Sequence, residues 1–161
     1  MFQNTIGFIM KESQNTEFKR IWKDEYLRHI CAFANSRGGS LMIGVMDDGS
    51  VAGISGSEKL LEDIPNKAIH ALGIYVEVLL HKDESLGYLE IKTQPNTVPI
   101  SFKGVYYVRS GSTTQELKGT ALHEFILKKM GRTFDDLFMP GSSMDDLDVK
   151  PIRRFLRRAI N

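Results

Sequence analysis

The chain has 161 residues, 42% of them apolar and 25% charged, with a formal net charge of +1. That is enough apolar material for one domain with a real core, and no apolar run approaches the roughly 20 residues of a membrane span. The single cysteine, Cys31, excludes an intrachain disulfide or a zinc site built on several thiolates.

The near-neutral balance conceals an asymmetry. Lys150, Arg153, Arg154, Arg157 and Arg158 fall in the last twelve residues with no acid among them. Setting those five aside leaves 16 bases against 20 acids, so residues 1–149 carry about −4. Phosphate affinity rests largely on Lys and Arg, so this balance gives nucleic-acid binding no support by itself. The N-terminal MFQNTIGFIMKESQ lacks the basic start and long apolar core of a secretory signal, and a cytoplasmic protein that does not enter membranes is expected.

In chain order, Phe8-Ile9-Met10 reads as a short strand and Thr16–Arg20 as a second extended piece. An extended Thr16–Arg20 puts Glu17 and Lys19 on one face and turns Phe18 to the core. From Trp22 to about Asn35, Leu27, Ile30, Cys31 and Ala34 recur at helical spacing. Asn35-Ser36-Arg37-Gly38-Gly39 stops that helix, a glycine taking the left-handed cap. Ser40–Val45 alternates Leu41, Ile43 and Val45 against Met42 and Gly44, Asp47-Asp48-Gly49 is hairpin chemistry, and Val51–Ile54 is the returning strand.

Ser57 can cap a helix carrying Leu60, Leu61, Ile64, Ala68, Ile69 and Leu72, which Pro65 should bend or split. Strands are expected at Ile74–His81, Tyr88–Lys92 and Val98–Phe102, the last continuing through Lys103-Gly104 into Val105–Arg109. Ser110–Thr114 ends that sheet segment, and a helix follows over about Thr120–Lys129. The fold class is α+β, a mixed sheet with packed helices. Residues 1–132 form the domain and 133–148 a Pro/Gly/Asp linker. Residues 149–161 start an amphipathic C-terminal helix with Pro151 in its first turn.

Three ordered segments carry a resemblance. They are Glu12-Ser13-x-x-x-Glu17-Phe18-Lys19, the run from Ala32 to Gly49 (Ala-Phe-Ala-Asn-Ser-x-Gly-Gly-x-Leu-x-Ile-Gly-Val-x-Asp-Asp-Gly), and Tyr107-Val108-Arg109-Ser110-Gly111-Ser112. Together, over roughly residues 8–130, they resemble the Schlafen-type Alba-like domain found at the front of many bacterial and archaeal transcriptional regulators. The resemblance implies DNA binding and transcription regulation, with RNA as the alternative partner. It also implies a winged-helix region entered by the basic helix. Vertebrate Schlafen relatives cleave RNA with three carboxylates, which match Glu12, Glu17 and Asp48, or Asp47 in its place. Those nucleases fuse two copies of the domain and carry a Cys/His zinc site. One copy with one cysteine retains no such zinc site and imitates the fused form only as a homodimer.

Each candidate has a plainer rival. Glu12, Glu17 and Asp48 could hold Mg2+ or Mn2+ and cleave a phosphodiester, yet Asp47-Asp48-Gly49 also suits a simple turn and Glu12 a solvated charge. Lys19, Arg37, Arg109 and Ser112 could contact phosphates, as could the backbone at Gly38 and Gly39. Arg37-Gly38-Gly39 equally reads as a helix stop, and Arg109 as half of an internal pair, perhaps with Glu17. Of Tyr106 and Tyr107, which alternate, at most one can face a base. Mg2+ or Mn2+ is the one cofactor these residues suggest, and no Gly-x-x-x-x-Gly-Lys-Ser/Thr run supports ATP binding. A third reading, from another class, is an oligomerisation or interaction platform.

Overall fold

The computed structural model describes residues 10–82 and 85–137, with side chains to residue 131. The linker beyond Leu137, the basic helix at 149–161 and nearly all of the strand expected at Phe8–Met10 lie outside the described residues. The architecture is α+β. Strands β1 (Thr16–Lys19), β2 (Gly39–Ile43), β3 (Glu77–Lys82) and β4 (Gly87–Thr93) form one sheet in the order β1-β2-β4-β3. The β1–β2 pair is parallel and the other two pairs are antiparallel. Strands β5 (Ser101–Phe102), β6 (Val105–Ser110) and β7 (Thr113–Glu116) form a second, antiparallel sheet.

Helix α1 (Leu27–Asn35) is the crossover between the parallel strands β1 and β2, and it packs against both sheets. Eight of its nine residues are buried, Arg28 being the exception, so it has no solvated stripe. Its apolar side chains join Leu41, Ile43, Leu89 and Ile91 of the first sheet and Phe102 of the second in one core. Asn35, buried at the last turn, fastens the second sheet. Its Nδ2 donates to the Ile100 and Tyr107 carbonyls at 2.7 and 2.8 Å, and its Oδ1 accepts from Ile100 N–H at 2.8 Å. Cys31 is fully buried, and burial pushes its thiol up to about 11.

Helix α1 stops where the glycines stand. Gly38 has φ of 77° and donates its N–H to Phe33 O at 2.9 Å. A Cβ on Gly39 would lie 2.5 Å from the Phe33 ring, so Gly39 lets the aromatic ring lie flat against the start of β2. Helix α2 (Ser57–Leu72) buries Ile64, Ala68 and Leu72. Helix α3 (Gly119–Leu137) packs the Phe125 ring near Tyr106, with centroids 6.5 Å apart. Among the described residues no helix is long and apolar enough to cross a membrane.

Several expectations are corrected. Pro65 does not split α2, which runs unbroken because its buried stripe repeats on both sides of the proline. The returning strand at Val51–Ile54 shrinks to a single bridge, Val45 to Val51. Strand β7 was not foreseen, its segment being exposed and polar apart from half-buried Thr114. Helix α3 continues beyond its expected end near Lys129, to Leu137. The face assignment of β1 also reverses. Glu17 pairs in register with Leu41 and Lys19 with Ile43, so these charged residues lie on the face that α1 covers. Phe18 pairs with Met42 on the opposite face, yet it too is fully buried.

Candidate nucleic-acid interface

A charged residue on a helix-covered face needs partners, because an ionised group left unpaired out of water is costly. Glu17, at 7% exposure, has them. Arg109 Nη1 donates to its Oε2 at 2.8 Å and Lys19 Nζ to its Oε1 at 2.6 Å. Burial draws the Glu17 carboxyl upward, but the hydrogen bonds from Lys19 and Arg109 outweigh it and hold the group below its ordinary value. Arg109 reaches this position from β6, its side chain having no exposed surface. It also donates to Thr114 Oγ1 and to the Gln14 and Ser13 carbonyls, and its guanidinium lies 4.9 Å from the Phe33 ring centroid. Its backbone N–H donates to Ser36 Oγ at 2.9 Å.

His29 of α1 completes the cluster. Its Nδ1 is 2.9 Å from Thr114 Oγ1 and 3.9 Å from Glu17 Oε1. Burial drives its pKa down to about 4, so the ring is neutral at pH 7. Above this floor opens a groove of about 450 Å3, lined by Glu17, Arg28, His29, Tyr107 and the β6–β7 segment with Ser112, Thr113, Thr114 and Glu116, the last paired with Lys118 at 3.3 Å. Arg28 is exposed, as are Ser112 and Thr113. Hydroxyls and one free-standing guanidinium over a neutralised floor can take polar or anionic groups from solvent.

The remaining candidates separate. Glu12 Oε1 accepts the Phe18 N–H at 3.0 Å, holding the segment before β1 against that strand. Asp48 Oδ1 accepts from Ser50 N–H at 2.9 Å and Ser50 Oγ at 2.6 Å, so it closes its own turn, and those bonds hold its carboxyl below the ordinary value. Asp47 is exposed beside it. Among the described residues, no group of three or more His, Cys, Asp or Glu side chains is placed to hold a metal ion. In this arrangement the three carboxylates are engaged separately: Glu17 by Arg109 and Lys19, Glu12 by the Phe18 N–H, and Asp48 by its own turn. Gly38 and Gly39 are occupied in ending α1, while Arg37 beside them is exposed. Arg109 is enclosed rather than presented to solvent, which answers the internal-pair reading of that residue.

Comparison with known proteins fits this architecture. The family model described as Schlafen, AlbA_2 matches residues 12–118, about two thirds of the chain. The chain belongs to the Schlafen AlbA_2 family. A protein of Corynebacterium diphtheriae, DIP2311, is similar in structure at 16% identity with a TM-score of 0.56. The match covers 70% of this chain and 26% of that protein, so the chain spans about a quarter of its length. The N-terminal domain of an ATP-dependent DNA helicase RecG-related protein from Nitrosomonas europaea aligns at 19% identity with a TM-score of 0.46, covering 69% of this chain and 87% of that one.

Within this AlbA_2 domain, sequence reasoning missed Arg28, His29, Thr113 and Thr114. Thr113 and Thr114 directly follow Ser112, the last residue of the Tyr107–Ser112 segment and a candidate phosphate contact, and read only as the end of the sheet segment. Arg28 and His29 sit on a helix whose apolar spacing gives no sign of either one's place at the groove. Lys19 bonds Glu17 and is 22% exposed, its Nζ 5.7 Å from the Tyr26 ring centroid.

Proposed function

We propose that this AlbA_2 domain binds nucleic acid, DNA in the first place, as part of a transcriptional regulator. The observation that carries the reading is the groove beside α1, where exposed Arg28 meets the hydroxyls of Ser112 and Thr113 over a floor whose buried charges are already paired. Exposed Arg37 adds a cation just past the end of α1, Lys19 is paired with Glu17, and Arg109 shapes the floor from within. Family membership supports the same direction.

Fluorescence anisotropy with labelled duplex DNA, single-stranded DNA and RNA tests this reading. Affinity should fall with salt because each phosphate contact releases counterions, with a log–log slope of roughly −0.7 to −0.9 per contact. Replacing Arg28 and Arg37 together by Glu should weaken binding about tenfold or more at low salt and flatten that slope. Absence of binding to every nucleic acid at low salt would remove the proposal.

A further inference from the structure

A second depression lies apart from the groove, where the chain leaving β1 meets the loop entering α2. It holds about 370 Å3 and is lined by Arg20, Ile21, Trp22, Ile54, Lys59 and Leu60, with no carboxylate among its lining residues. Arg20 and Lys59 are exposed, and neither has an ion-pair partner among the described residues. Two exposed cations in a largely apolar hollow whose lining holds no carboxylate are complementary to a ligand that is anionic at one end and flat and apolar at the other.

Trp22 supplies the matching surface. It packs partly against the core, and its Nε1–H donates to Asp24 Oδ1 at 2.9 Å. Asp24 is in turn held by Lys67 of α2 at 2.6 Å. The indole edge is thus fixed through Asp24, while the side chain still lines the hollow. An aromatic ring held in place before binding is a stacking platform that loses little freedom when a base lands on it. Ile21, at 57% exposure, leaves an apolar flank beside it.

We propose that this depression takes one unpaired nucleotide of a single-stranded nucleic acid, its base on Trp22 and its phosphates on Arg20 and Lys59. The proposal rests on the nucleic-acid reading of the domain and assigns it a second contact point. A single strand fits because duplex bases are already stacked on their neighbours and offer only their edges to a protein. An acidic peptide satisfies the cations but brings no flat π face to the anchored indole.

Trp22 is the only tryptophan in the chain, so its emission reports this site alone. The full chain is titrated with octathymidylate, octauridylate, a short DNA duplex and a polyglutamate peptide, with anisotropy of labelled strands read in parallel. Saturable quenching by the two single strands is expected. Affinity should be roughly tenfold weaker in the R20E/K59E double variant, whose exposed positions leave the fold intact by circular dichroism. Strand binding by anisotropy with unchanged emission and unchanged R20E/K59E affinity overturns the inference and leaves the domain's nucleic-acid reading standing. Equal quenching by the duplex overturns the single-strand assignment, and quenching by polyglutamate alone assigns the hollow to a peptide instead. No strand binding by either readout overturns both readings.

Discussion

Glu17 and Asp48 both come from the stretches that mark the family, and their surroundings are opposite. Glu17 lies on the helix-covered face of β1, bonded by Arg109 and Lys19. Asp48 stands in solvent and bonds Ser50, the residue two positions on. The same functional group is therefore a structural keystone in one place and a turn former in the other. Carboxylate counting along a sequence does not distinguish these roles; burial and the identity of the donors do.

The largest expected effect comes from breaking the buried pair. Arg109→Ala strips Glu17 of its fully enclosed partner, and removing one member of a buried pair typically costs about 3–5 kcal/mol. Urea denaturation should show it as a much lower midpoint. Replacing both residues, Glu17→Leu with Arg109→Met, should recover much of the loss, because it removes both desolvated charges at once. A cost below about 1 kcal/mol for Arg109→Ala would mean the pair is as weak as a surface one. The same logic changes the meaning of a Glu17→Ala experiment. Lost activity in that variant would report a lost fold contact before it reported a lost metal ligand.

Acid should weaken the same cluster in two adjoining windows. His29 has a folded pKa of about 4, below its ordinary 6.5, so the unfolded chain binds the proton more readily. Its contribution is complete above about pH 6.5 and is lost as pH falls toward 4. Between pH 7 and pH 5 this amounts to about 2 kcal/mol, measurable as a shift in denaturant midpoint. Glu17, whose carboxyl is lowered, contributes above its unfolded value and loses that contribution as pH falls through the folded one. His29→Gln should flatten the upper window and leave the lower. A pH-independent midpoint between 5 and 7 in the unaltered protein would show that His29 is not held neutral by burial.

The smallest effect belongs to the turn. Asp48→Ala removes two local hydrogen bonds from an exposed loop, and its melting temperature should stay close to that of the unaltered protein. A large drop would place Asp48 in a role that its surroundings do not show, and the contrast with Glu17 would collapse.

Much of the fold is readable because its signals are local. The helical spacing of Leu27, Ile30, Cys31 and Ala34, the glycines at 38 and 39 and the alternation at Leu41 and Ile43 each act over a few residues. Strand β7 carries no such signal: Thr113–Glu116 is exposed and polar apart from half-buried Thr114, and becomes a strand only because β6 lies beside it. The β1 face assignment failed for a related reason. Alternation says that Glu17 and Phe18 point opposite ways, but only the register with β2 says which side faces the helix. The hollow at Trp22 was equally out of reach, since Arg20 and Lys59 come together only when the β1 exit meets α2.

The position of α1 has a consequence for the integrity of the domain. Both sheets use this one helix as their shared wall, and Asn35 ties its end to residues 65 and 72 positions away. A cut that removed either sheet would therefore expose Ile30 and Phe33, which lie in the one core cluster that both sheets share.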